Sequence, residues 1–145
     1  MKTGNLITSG KRKTSVARAV ITSGTGKVTI NERAYNTFHL FDKLKIDEPL
    51  RITEHILGKP NFDVSITVKG GGEKSQIEAA RIALSKAILG FSKSKEVEKS
   101  FLAYDRNLLV ADVRRKEARK PGDSKARAKR QKSYRWLYIS LYNNL

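Results

Sequence analysis

The sequence predicts a mixed α+β body followed by a long, basic, extended tail. Three observations carry that reading. Phe62, Val64, Ile66 and Val68 alternate with polar residues, the period of a half-buried strand. Ile77, Ala80, Leu84, Ala87 and Ile88 recur at the 3.6-residue period of a helix. The 22 residues of 114–135 hold eleven Lys or Arg against Glu117 and Asp123, a net of +9, and Tyr134 is their one large apolar side chain.

The elements follow in order. Residues 16–22 are rich in β-branched side chains and read as a strand. Residues 23–26, with Gly24 and Gly26, read as a turn. Val28, Thr29 and Ile30 then read as a short strand that pairs back on the first as a hairpin. Asp47, Glu48 and Pro49 look like a helix start, acidic and with proline in the first turn. Its apolar face is Leu50, Ile52, Ile56 and Leu57, and Gly58 with Pro60 stops it. The alternating strand at 62–68 ends in Gly70, Gly71 and Gly72. A helix is expected over about 75–89, and a shorter one over about 95–103, carried by Val97 and Phe101. Leu108, Leu109 and Val110 read as a last strand, and the body is expected to end at Asp112.

The chain has 145 residues, a length that suits one domain. Its 39% hydrophobic content is enough for a core, so the whole is not a disordered composition. It has no cysteine, which excludes a disulfide scaffold, a thiolate zinc site and a cysteine nucleophile. His39 and His55 each sit beside apolar residues and read as packed core side chains rather than bases or ligands. The acidic residues show no paired-carboxylate spacing, and no Ser/His/Asp arrangement is legible. No enzyme, metal or cofactor is therefore expected. Apolar runs fall well short of the roughly 18 residues a membrane helix needs, and the N-terminus lacks a secretory pattern. The expected compartment is the cytosol.

Thirty basic residues against fourteen acidic ones give a net charge of +16. Self-repulsion of that size is best relieved by a polyanion, nucleic acid first and anionic membrane second. The tail cations fall on all sides with no interleaved apolar face, which favours nucleic acid over membrane. Tail residues without apolar partners cannot offset their ordering entropy by burial, so the tail is expected to be mobile when free. Fully extended, it reaches on the order of 70 Å.

Two more groups of residues are candidates for contact. Lys11, Arg12 and Lys13, with Arg18 behind them, are a basic cluster at the mouth of the first strand. Gly70, Gly71, Gly72 and Lys74 join a strand to a helix. Such a turn is either a tight connection or a cradle for a phosphate at a helix N-terminus, on RNA or on a nucleotide. It has neither the P-loop spacing nor the dinucleotide fingerprint. The remaining readings are a free architectural nucleic-acid-binding module and a nucleotide-dependent enzyme, with no evidence of catalytic residues for the second.

Four blocks in order carry a resemblance. They are residues 10–19 (GKRKTSVARA), 70–76 (GGGEKSQ), 79–83 (AARIA), and 112–122 (DVRRKEARKPG) with Lys125, Ala126 and Arg127. Together they closely resemble the small-subunit ribosomal protein nine family, in its archaeal and eukaryotic-type branch, from about Gly4 to Arg135. The resemblance implies a compact β-α-β-α body like the second domain of ribosomal protein five. It implies binding to ribosomal RNA in the head of the small subunit, beside neighbouring proteins of the head, with no small-molecule substrate. It implies RNA contact by Lys11, Arg12, Lys13, Arg18, Gly70, Gly71, Gly72 and Lys74. In the tail it implies the same for Arg114, Arg115, Lys116, Arg119, Lys120, Lys125 and Arg127. The tail would then reach the peptidyl-site tRNA through Lys129, Arg130, Lys132, Tyr134 and the terminal Arg135.

The chain departs from that family in one place. Residues 136–145 follow the position where the family ordinarily ends, carry no charge, and seven of the ten are apolar. They read either as aromatic residues that stack on bases or as sequence appended by read-through, a mispredicted stop or a cloning scar, and the second group is the expectation. Bulk after Arg135 would crowd its contact with tRNA.

Overall fold

The computed structural model of the chain describes residues 6–59, 61–122 and 125–128. Its chain packing separates Met1–Arg114 from Arg115–Leu145. The first unit is α+β, as the sequence predicts. It contains β1 (Leu6–Arg12), β2 (Ser15–Ser23), β3 (Val28–Ile30), β4 (Arg33–Ala34), α1 (Leu40–Leu57), β5 (Phe62–Lys69), α2 (Glu73–Ser92) and α3 (Lys95–Tyr104). A 3₁₀ turn spans Tyr35–Thr37 and another Arg106–Leu108.

The five strands form one sheet in the order β1-β2-β5-β3-β4. β1 and β2 form an antiparallel hairpin, with Arg12 opposite Ser15 and Lys13 at φ 51° in the turn. β5 runs antiparallel to β2, with Ala19 opposite Ile66, and parallel to β3, with Val28 opposite Val64. The predicted hairpin between residues 16–22 and 28–30 is therefore overturned, because β5 lies between them. The cause is visible at Asp63. Its Oδ1 accepts the backbone N–H groups of Thr25, Gly26 and Lys27 at 2.8, 3.0 and 2.8 Å. These bonds fasten the loop after β2 across the start of β5, and β3 emerges on the far side.

Alternation gives the sheet one buried face. Ala17, Ala19 and Ile21 of β2, Val28 and Ile30 of β3, and Phe62, Val64, Ile66 and Val68 of β5 are buried there. α2 lies across this face and buries both its sheet side and its outer side, including Ile77, Ala80, Leu84 and Ile88. Gly10 allows the close approach of β1, because a Cβ there would run into the carbonyl of Ala79 and stand 2.6 Å from the Ala83 nitrogen. α1 packs on α2, and α3 packs on α1 through the fully buried Val97 and Phe101.

Three further expectations are corrected. α1 does not start at Asp47 but at Leu40, and it runs through Pro49. Proline inside a helix costs roughly 3 kcal/mol. Burial of Ile46, Pro49 and Thr53 against the core offsets that cost, a gain that local sequence signals do not contain. Leu108, Leu109 and Val110 form no strand. Asp105 Oδ1 accepts the Asn107 N–H at 2.8 Å and turns the chain into a 3₁₀ turn that buries Leu108. Neither histidine is in the core: His39 and His55 are exposed, and His39 stacks on the exposed Phe41 with ring centroids 5.7 Å apart. The sequence does not signal β1 or β4: after Leu6 and Ile7, β1 holds only Thr, Ser, Gly, Lys and Arg with no apolar alternation, and β4 is only the pair Arg33–Ala34.

Candidate nucleic-acid interface

Strand parity divides the first basic cluster. Along β1 successive side chains point to opposite faces. Lys11 is exposed on the face away from α2, whereas Arg12 turns under the helix. Arg12 Nε donates to Glu78 at 2.6 Å and its Nη1 donates to Asp112 at 2.8 Å. Lys45 Nζ lies 3.4 Å from the other Glu78 oxygen. Burial alone would raise the Glu78 pKa, but the Arg12 hydrogen bond and the Lys45 charge outweigh it and hold the carboxyl below its ordinary range. A second pair of carboxylates, Glu48 and Asp105, flanks the Arg81 guanidinium at 2.6 and 3.1 Å.

On the other face, Arg18 is exposed on β2, opposite Ser9 and Thr67. Lys11 lies opposite Val16, and Val16 opposite Lys69, so a lysine stands on each side of β2. Lys69 was missed in the sequence because it sits beside the glycines rather than in a basic run. Its parity with Ser65 and Thr67 in an alternating strand was the signal that places it away from the core.

The glycine turn is held from within. Gly70 and Gly71 have φ of 78° and 67°, values that glycine adopts without strain. The buried Ser15 Oγ donates to the Gly70 carbonyl at 2.9 Å and lies 2.7 Å from Ser75 Oγ. Ser75 Oγ accepts the Gly72 N–H at 3.1 Å, and Gln76 Nε2 donates to Gly70 O at 3.1 Å. Lys74 Nζ donates to both oxygens of the buried Asp42 at 2.9 Å, tying the start of α2 to the start of α1. The tight-connection reading of this turn is thus supported by hydrogen bonds from Ser15, Ser75 and Gln76 inside the protein.

At the end of the first unit, Arg114 Nη2 and Nε bind the Asp112 carboxylate at 2.6 and 2.9 Å. Hydrogen bonds from the Arg114 side chain and backbone, with the Arg12 charge, hold the Asp112 carboxyl far below the usual range. Within Arg115–Leu145, Arg115, Lys116, Arg119, Lys120 and Lys125 are exposed. Arg127 Nη2 donates to Glu117 at 2.6 Å across an exposed pair. Residues 115–120 have no regular secondary structure, as expected of an extended tail. Lys129, Arg130, Lys132, Tyr134, Arg135 and the extension 136–145 lie outside the described residues.

Comparison with known proteins decides what this basic α+β body is. The pattern of the family described as Ribosomal protein S9/S16 matches residues 10–135. The chain belongs to this family. It is 48% identical over 131 residues to small ribosomal subunit protein uS9 of Methanococcus vannielii, covering 88% of this chain and 96% of that protein. It is 45% identical over 131 residues to the uS9 of Thermoplasma volcanium, covering 90% and 98%. Against the uS9 of Picrophilus torridus it is 44% identical over 133 residues, covering 90% and 97%. The chain is of the archaeal uS9 type, a structural protein of the small ribosomal subunit and not an enzyme. Its place is the cytoplasmic ribosome. Among the described residues no helix is long and apolar enough to cross a membrane.

Proposed function

We propose that this uS9-family chain binds small-subunit ribosomal RNA in the head of the subunit and extends its tail to the peptidyl-site tRNA. Residues 4–112 act as the globular RNA-binding body, 113–135 as the threading tail and 136–145 as an atypical extension. The observation that supports this best is the sorting of charge. Arg12, Lys45 and Arg81 are paired with carboxylates inside the body, whereas Lys11, Arg18, Lys116, Arg119, Lys120 and Lys125 are exposed without a partner among the described residues. Cations kept exposed and unneutralised on a protein of net charge +16 are available to phosphates, and released counterions then supply much of the affinity.

Lys11, Lys13, Arg18 and the glycines at 70–72 contribute from the body; Arg12 does so by holding the first strand in place, and Lys74 by tying the start of α2 to the start of α1 through Asp42. Arg114, Arg115 and Arg127 extend the contact along the tail. Lys129, Arg130, Lys132, Tyr134 and Arg135 approach the tRNA, with neighbouring head proteins around the body.

Removal of residues 129–145 tests the tail. Small subunits carrying the truncated chain are expected to assemble with near-normal yield and to hold peptidyl-site tRNA more weakly. Normal tRNA affinity in those particles would sink the tail role. A chain that leaves the small subunit at modest salt in a sucrose gradient would sink the RNA-binding role.

A further inference from the structure

The sheet face turned away from α2 carries no helix among the described residues. Its register places three cations on three adjacent strands: Lys11 on β1, Arg18 on β2 and Lys69 on β5. Neighbouring strands lie about 4.8 Å apart, so the two lysines, two strands apart, stand about 10 Å from one another at the backbone. On this face lies a groove of about 510 Å³ lined by Ile7, Val16, Val20 and Thr67 together with Arg18 and Lys69. Ile7 is 66% exposed and Val16 37%. None of the three cations has an ion-pair partner among the described residues, in contrast to the paired Arg12 one position along the same strand. The one carboxylate of β5 that shares this parity, Asp63, is turned into the loop at residues 25–27.

We propose that this open sheet face is a docking surface for the phosphate backbone of a double-helical segment of ribosomal RNA, with Lys69 as a contact residue alongside Lys11 and Arg18. The charge complementarity is one-signed, and it is spread over an area rather than focused on one point. That suits a polyphosphate surface better than a single anion. Among the described residues this face of β1, β2 and β5 bears no aromatic side chain, so these strands offer no platform on which an unpaired base would stack. Recognition is therefore of backbone and shape, not of sequence. The β-branched floor takes the apolar edges of riboses between the phosphates. This inference rests on the RNA-binding reading above and names the surface and the form of RNA it takes.

The test uses the full chain with Arg18→Gln, Lys69→Gln and the double variant. Lys95→Gln with Lys99→Gln, on α3, removes the same charge elsewhere. Affinity for small-subunit ribosomal RNA is measured against salt. Each sheet substitution is expected to make the slope of log affinity on log salt shallower by about 0.7–0.9, and the double variant by about twice that. The α3 control is expected to keep the wild-type slope. A photo-crosslinking residue at position 67 in assembled small subunits is expected to capture RNA. A double variant with the wild-type slope, or a crosslink to protein alone, overturns the sheet proposal while leaving RNA binding intact. Equal wild-type affinity for ribosomal RNA and for duplex DNA overturns the RNA-binding reading itself, and this inference with it.

Discussion

Arg12 and Asp112 meet at 2.8 Å across a separation of 100 residues. The same guanidinium holds Glu78, so the first strand, the central helix and the start of the basic segment are joined at one cation. Its side chain is only 17% exposed, so water replaces these bonds poorly. Hydrogen bonds to charged groups in such settings contribute about 1.5–3 kcal/mol.

Substitution Arg12→Met is expected to destabilise the body by about 2–3 kcal/mol, since it leaves the half-buried Glu78 with Lys45 alone. Arg12→Lys keeps the charge but loses the two-armed geometry and is expected to fall between. Urea denaturation reads both, as a lower midpoint at unchanged slope. A midpoint equal to wild type would show that the network contributes nothing.

Asp63 and Glu78 give the stability its acid limb. Asp63 is held below its ordinary value of 3.8 by the Lys27 and Thr25 backbone N–H groups, and Glu78 stays below its ordinary 4.5 despite burial. A carboxyl depressed in the folded state binds its proton more readily in the unfolded chain. Its stabilisation is present above the unfolded value and is lost as pH falls through the folded one. The melting temperature is therefore expected to hold from neutral pH to about pH 5 and to drop below it. Asp63→Asn is expected to melt lower than wild type at neutral pH, with the gap closing near pH 2, as roughly set by the same linkage. Parallel curves at all pH values would rule the Asp63 contribution out.

Gly71 and Gly72 are expected to respond differently. Gly71 has φ 67°, and a Cβ there would run into Ser15 Oγ. Gly71→Ala is expected to cost about 1–3 kcal/mol. Gly72 has φ −107° and open space around it, at the residue that precedes α2. Gly72→Ser is expected to be tolerated within about 0.5 kcal/mol, because serine suits that position. Thermal denaturation of the two variants decides, and equal losses would contradict the geometry.

Binding to ribosomal RNA is expected to be steeply salt-dependent. If about six tail cations engage phosphates, affinity falls roughly a thousandfold or more between 50 and 200 mM salt. Fluorescence anisotropy with the full chain measures it. A flat salt response would remove electrostatics as the basis of binding.

Much of the molecule is legible before folding because it is local. The period of Phe62 to Val68 fits a strand, that of Ile77 to Ile88 fits a helix, and both stand in the structure. The density of Lys and Arg after Asp112, with almost no apolar residue, leaves little that a packed core would use. The ordered blocks that resemble the ribosomal family are likewise read from neighbours in the chain. What was not legible depends on residues far apart. Whether residues 16–22 pair with 28–30 was decided by Asp63, which lies more than thirty positions away from the amides it binds. Whether α1 starts at Asp47 or, as it does, at Leu40 and runs through Pro49 was decided by the core behind it. The division of Lys11 from Arg12 required a strand whose parity no apolar pattern announces, and the fate of Arg12 required Glu78 and Asp112. Charge and periodicity are properties of adjacent residues. Pairing, burial and the sorting of cations into bound and exposed exist only once the chain has brought distant residues together.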